Sequence, residues 1–454
     1  MKRKKRANTK KRVAKTPIIV KVSLIIIVLF VFFATTFKIV EIVITHKSDN
    51  FPGLDISLKD IAVEKLDSGT KDIKYSGNTV TTTIDNKNTS YSDVEIKGRG
   101  NTTWQQIKKP YQLKFKEKES FFGIGESKKW VLLANYLDPT FLRNDIAFYL
   151  EKLLGEPYKM EGSFIELSID DNYRGLYYLS EKVEIGKPRV NLNSDSGILV
   201  ELDNIYGVLD GCYYSNDNDC IIVKDLTNED AETTIMQDFI DNFNLVRAAA
   251  KKKDYKKLTS LIDIDSFVRY YLLSEFTVNP DAYNTSFFMY KDGKDDKIHA
   301  GPGWDFDLAI GNKAWVAKGV DQDLFFSPFE TMVLKNYLDK TDEAPHLNSL
   351  STILYDLIDI PEFYERVKEI YQETLSGKGD EILDYIRSQA EYIKPAVLRD
   401  QERWKLKTNF DEEVDYLIDW VAKRYDHFEQ TYGANSEKSI NQDQAPESPQ
   451  PSQE

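Results

Sequence analysis

Residues 301–312 read Gly-Pro-Gly-Trp-Asp-Phe-Asp-Leu-Ala-Ile-Gly-Asn. Asp305 and Asp307 are two apart, and in an extended segment alternate side chains share a face. Two carboxylates on one face repel unless a cation lies between them. A divalent metal supplies that charge, and Mg²⁺ held by one or two carboxylates plus substrate phosphates is the usual arrangement for phosphoryl transfer. The other reading is a pair of solvated turn aspartates. Trp304, Phe306, Leu308 and Ile310 make the stretch apolar, which favours burial and the metal-binding reading.

Upstream, NPDAYNTSFFMYKD (279–292) places Asp281 and Asn284 just before a strand expected over Ser286–Lys291. A second strand is expected over Ile298–Leu308, and the intervening DGKDD forms the turn. Phosphoryl transfer needs a carboxylate to accept the hydroxyl proton and oxygen ligands for the metal. Protein kinases meet this with a catalytic-loop Asp and Asn followed by the Asp of DFG. Taken alone, Asn279, Pro280 and Asp281 also read as a plain turn.

Further upstream, IKGRGNTTWQQIKKPYQLKFK (96–116) joins a glycine-bearing turn, Gly98–Asn101, to a strand containing Lys114. Glycines let backbone amides approach phosphates closely. The same four residues suit a hairpin turn, and Lys114 an ordinary exposed strand position.

Around these motifs the first half alternates short strands and turns. Strands are expected at Val80–Ile84, Val94–Ile96, Tyr111–Lys116, Trp130–Ala134, Ser163–Ile169 and Gly175–Leu179, with a hairpin turn over Asp85–Asn88. One helix, Thr140–Leu154, carries Leu142, Ile146, Tyr149, Leu150 and Leu153 at helical spacing. From about Glu229 the period becomes 3.6. Helices are expected at Glu229–Lys252, Ile264–Thr277, Leu347–Ile358, Pro361–Leu375, Asp380–Trp404 and Glu412–Thr431, the fifth kinked or split at Pro395. The class is α+β, strand-rich to about residue 228 and mainly helical after it.

Taken in order, KGRGNTTW, KKPYQLKF, WVLLANYLDPTFLRN, GLYYLSEKVE, NPDAYNTSFFMY and GPGWDFDLAIG resemble the CotH family of spore coat protein H-like kinases over about residues 54–433. The resemblance implies an atypical, secretory-type protein kinase fold whose strand-rich and helical lobes enclose ATP and Mg²⁺, with Mn²⁺ an alternative. It implies Asp281 as catalytic base and Asp305 as the metal ligand in the place of the DFG aspartate. Asn284 and Asp307 join the metal site, Lys114 contacts the nucleotide phosphates, and Gly98, Arg99, Gly100 and Asn101 lie over them. Arg143 and Glu181 fall in family-like motifs, to orient Lys114 or support the lobes. Two departures from standard kinases stand out: Asn284 follows Asp281 by three positions instead of five, and Asp307 replaces the DFG glycine.

The chain has 454 residues, room for about three domains or one two-lobed enzyme with tails. Residues 1–16 carry nine Lys and Arg and no acid; with a net charge of −14, the rest carries −23. An acidic body of that size excludes nucleic acid as a partner. Ile18 to Phe37 is a nearly unbroken apolar run, long enough for a bilayer core that takes about 20 helical residues. Residues 1–16 then stay cytoplasmic, 17–37 form a transmembrane signal anchor, 38–53 a connector, and the bulk lies outside the cytoplasm. Residues 434–454 are polar, Pro-containing and expected to be disordered. Two cysteines and four histidines are too few for a structural zinc site. Cys212 and Cys220 bracket a turn-rich YYSNDND, and either close a hairpin disulfide or stay separate thiols.

No P-loop, G-x-S-x-G, H-E-x-x-H or complete G-x-G-x-x-G occurs. The expected function is transfer of the ATP γ-phosphoryl group to Ser or Thr of envelope or spore coat proteins. The alternatives are a metal-dependent glycosyltransferase using the D-x-D pair and a non-catalytic coat or surface scaffold.

Overall fold

The computed structural model describes residues 51–204, 211–279, 281–282, 285–312 and 353–434. The expected anchor at 17–37, the basic segment before it, the connector up to residue 50, the tail after 434 and Asn284 lie outside these residues. Among the described residues no helix is long and apolar enough to cross a membrane.

Seven strands close into a barrel: β1 Gly53–Ser57, β2 Tyr75–Ile84, β3 Lys87–Gly98, β4 Tyr111–Phe121, β5 Ile124–Leu133, β6 Gly162–Ile169 and β7 Asn172–Glu181. Their order is β1-β2-β3-β4-β5-β7-β6, and β1 closes the ring by pairing antiparallel to β2 and parallel to β6. Inward residues alternate with outward ones, so Val94, Ile96, Leu113, Phe115, Trp130, Leu132, Ile165 and Leu167 share one core. The turn of the β2–β3 hairpin is shorter than expected. Asp85 and Asn86 alone make it, at φ 48° and 60°, the two-residue form whose twist matches the strands, while Lys87 and Asn88 already belong to β3.

A second sheet has the order β12-β11-β8-β10-β9, from β8 Ile198–Leu202, β9 Tyr213–Tyr214, β10 Cys220–Leu226, β11 Phe287–Lys291 and β12 His299–Ala300. The strand-rich island around residue 290 is therefore joined to the first half through β8, whose five residues are all buried. Cys212 and Cys220 are disulfide-bonded beside β9 and β10. The strand expected over Ile298–Leu308 stops at Ala300. Asp305 sits at φ 66°, in the left-handed region, so Asp305 and Asp307 do not share a face by strand alternation.

The helices are α1 Val63–Ser68, α2 Arg143–Leu153, α3 Glu232–Lys251, α4 Tyr255–Leu261, α5 Ile264–Thr277, α6 Ile353–Ile358, α7 Pro361–Thr374, α8 Gly379–Trp404 and α9 Phe410–Tyr432. Helices α2 to α9 and the second sheet share a larger core than the barrel's, with Phe239, Phe267, Leu272, Phe363, Tyr371 and Phe428 inside it. Pro395 does not split α8. It lies on the exposed face, where the Glu391 carbonyl it leaves without a helical partner can meet water.

Candidate active site

Helix α5 ends at Val278, left-handed at φ 47°, which turns the chain sharply. Asn279 Oδ1 accepts the N–H of Asp281 at 3.0 Å, and the Asp281 carbonyl accepts from Thr285 at 2.9 Å. These bonds hold a half-buried Asp281 next to the end of α5.

The 301–312 segment is held at many points. Phe288 O accepts from Gly301, Thr277 O accepts from Ile310 at 2.7 Å, and Asn312 Nδ2 donates to Asp307 O at 2.6 Å. Arg143, fully buried and ion-paired with Asp138, donates through Nε to Ala309 O at 2.9 Å. Gly311, at φ 65°, lies where a Cβ would meet the Trp420 ring at 2.5 Å. Asp305 is half-buried and Asp307 buried.

Three carboxyls repel one another here. Asp281 is pushed well above the usual carboxylate range by burial, then by Asp305, Asp203 and Glu201. Burial, Asp305, Asp281 and Asp138 push Asp307 well up. Asp305 is raised by burial, and Arg99 opposes that rise. The Arg99 guanidinium lies over the Trp304 ring, 5.4 Å from its centre, and its own pKa is lowered by burial against the pull of Asp305 and Asp307.

Of the four residues of the glycine turn, Arg99 is the one that acts on the carboxylates. Gly98 is where a Cβ would meet the Trp104 ring at 2.5 Å, and Gly100, at φ 77°, one that would meet Thr103 Oγ1 at 2.0 Å. Asn101 bonds Lys71. Lys114 is exposed on the outside of the barrel, between inward Leu113 and Phe115, in register with Glu95 and Lys129. The structure does not bring it to the carboxylates. Glu181 pairs with Arg189 instead of orienting Lys114. Glu201 and Asp203, which sequence reasoning missed, reach Asp281 because β8 pairs with β11. Lys224 pairs with Glu201 at 2.5 Å, and nearby Lys182 is pushed down to about 8 by burial.

Among the described residues no group of three or more His, Cys, Asp or Glu side chains is arranged to hold a metal ion. Asp305 and Asp307 nevertheless fit a hard cation that takes one or two carboxylates and completes its shell with phosphate and water. Burial raises both carboxyls, and Asp305 adds to the rise of Asp307.

The family model for CotH kinase proteins matches residues 96–428. The chain belongs to this family. It is also 24% identical to the inner spore coat protein H of Bacillus subtilis (strain 168) over 348 residues, covering 66% of this chain and 86% of that protein. The CotH match runs from Ile96 in β3 to Phe428 in α9, so it includes Arg99, Asp281, Asp305 and Asp307, while β1, α1 and β2 precede it.

Proposed function

We propose that this CotH family chain transfers the γ-phosphoryl group of ATP to Ser or Thr hydroxyls of a spore coat or envelope protein. The observation that carries the reading is the convergence of Asp281 with Asp305 and Asp307, opposed by Arg99. In this reading residues 54–433 form the kinase domain, with the barrel and the helical body as its two lobes. The 17–37 segment anchors it in a membrane, with residues 1–16 cytoplasmic and the domain beyond the membrane.

Asp305 and Asp307 would hold Mg²⁺ or Mn²⁺, with Asn284 a further ligand. The cation would neutralise charge on the transferred phosphoryl oxygens and offset the burial and repulsion that raise the Asp281 pKa. Asp281 accepts the proton of the acceptor hydroxyl as its oxygen bonds to the γ-phosphorus and the bond to the β-phosphate oxygen breaks, releasing ADP. Arg99, stacked on Trp304, donates to the phosphoryl oxygens.

Two thermal-shift results test this. ATP with Mg²⁺ should raise Tm, whereas a nucleotide sugar should not; selective stabilisation by the sugar nucleotide would favour glycosyl transfer. The second is a pH effect. Folding raises the Asp281, Asp305 and Asp307 pKa values above their ordinary 3.8, so the folded state keeps protons that the unfolded chain releases. Their contribution to stability is complete below 3.8 and is lost as pH climbs toward the folded values. Tm in EDTA should therefore fall more steeply with rising pH in the parent than in Asp307→Asn, and Mg²⁺ should flatten the parent's slope. Parallel slopes in parent and variant would contradict the raised Asp307 pKa.

A further inference from the structure

Helix α2 runs beneath the 301–312 segment and grips it on both sides of Asp305. Asn144 and Glu151 are seven residues, two turns, apart and so lie on one face of the helix. Glu151, 1% exposed, accepts the Gly303 N–H on Oε1 at 2.5 Å. Asn144, 2% exposed, accepts the Phe306 N–H on Oδ1 at 2.9 Å, and its amide nitrogen donates to Asn135 Oδ1 at 3.3 Å, which fixes the way the amide faces.

Asp305 lies between these two held amides at φ 66°, a left-handed conformation that is unfavourable for a non-glycine residue and persists only when its surroundings enforce it. Gly303 permits the close approach. A Cβ there would meet Leu273 at 2.8 Å, Phe306 at 2.9 Å and Glu151 Oε1 at 3.2 Å.

We propose that Asn144 and Glu151 are positioning residues that set the geometry of Asp305 and Asp307 for a divalent cation by holding the amides of Phe306 and Gly303. The inference rests on the reading that these aspartates bind the cation. Each side chain acts through the backbone on either side of Asp305.

Burial pushes the Glu151 carboxyl up to about 8, against the hydrogen bonds from Gly303 and Met160 and the charge of Lys159. Glu156, itself raised by burial and by Glu151 and opposed by Arg269, is its acidic neighbour. A neutral carboxyl is what Gln replaces with least change of shape, so Glu151→Gln keeps the acceptor for Gly303, whereas Glu151→Leu removes it.

The test uses the full chain, Mn²⁺ as probe and electron paramagnetic resonance to count free ion, with hydrogen exchange read over residues 301–312. Loss of an outer-shell partner typically weakens metal affinity about 10- to 100-fold. Glu151→Leu and Asn144→Ala should show that loss together with faster exchange, and Glu151→Gln should stay within about twofold of the parent. Parent-like Mn²⁺ affinity in a folded Glu151→Leu and in Asn144→Ala overturns the positioning role alone. If Glu151→Leu does not fold, Asn144→Ala decides by the same two outcomes. A parent that binds no Mn²⁺ overturns the metal reading and this inference with it, a result distinct from the first because the parent itself is then silent.

Discussion

Asp281→Asn is expected to lower phosphate transfer by about 10²- to 10⁴-fold, the usual contribution of a positioned general base, while the protein stays folded. The substitution keeps the backbone bonds that shape the turn, from Asp281 N–H to Asn279 and from Thr285 N–H to the Asp281 carbonyl. It removes one of the carboxyls that repel Asp305 and Asp307, so the metal-free Tm should equal or exceed the parent's. A loss of activity accompanied by higher stability is difficult to attribute to misfolding, and it is the pattern expected where a site holds charge against its own stability. Parent-level transfer by this variant would remove Asp281 from the chemistry. Single-turnover transfer rates alongside thermal melts decide between the two.

The second large effect concerns stability. Lys108 and Asp400 are both fully buried and paired at 2.5 Å, and Asp400 Oδ2 also accepts from Leu176 N–H at 2.9 Å. The bond joins α8 to β7 of the barrel. Gly175 gives it room, at φ 101° and with a would-be Cβ 2.0 Å from Asp400 Oδ2. The Lys108 ammonium lies 4.8 Å from the centre of the Phe141 ring and 4.7 Å from that of Tyr177. Burial lowers the Lys108 pKa and raises that of Asp400, so desolvation works against both charges and the pair as a whole contributes little.

Breaking it is another matter. Asp400→Ala strands a buried ammonium and should cost about 3–5 kcal/mol in urea unfolding, and Lys108→Met should cost a similar amount. The double variant Lys108→Met with Asp400→Leu should cost clearly less than the sum of the singles, since no buried charge is left over. Additive losses would show that the two side chains act independently.

The longer helices were legible because their apolar residues recur at a period that tertiary contacts reinforce, as in Ile264–Thr277, whose observed bounds equal the expected ones, whereas the short α1 and α4 carry too few turns to show that period. The family was legible in six short motifs taken in order. The second sheet was not. ILVEL at 198–202 is a short, fully buried run with no alternation, and its partners lie about 20 and about 90 residues away, so no local signal reveals them. Glu201 and Asp203 were hidden for the same reason.

The placement of Lys114 was open to a closer reading. In YQLKF, Tyr111, Leu113 and Phe115 must share the inward face, which leaves Lys114 outside. The geometry of Asp305 could not be read from spacing, because a left-handed residue breaks the two-residue alternation and is fixed by α2, far away in sequence.

The most direct test incubates the full chain with γ-labelled ATP and Mg²⁺, with an EDTA control, and counts phosphate incorporated into the chain itself and into a Ser-rich protein. Metal-dependent incorporation that EDTA abolishes is the expected result. No incorporation under either condition, together with no stabilisation by ATP, would contradict phosphoryl transfer and leave the carboxylate cluster in a protein that works as a scaffold.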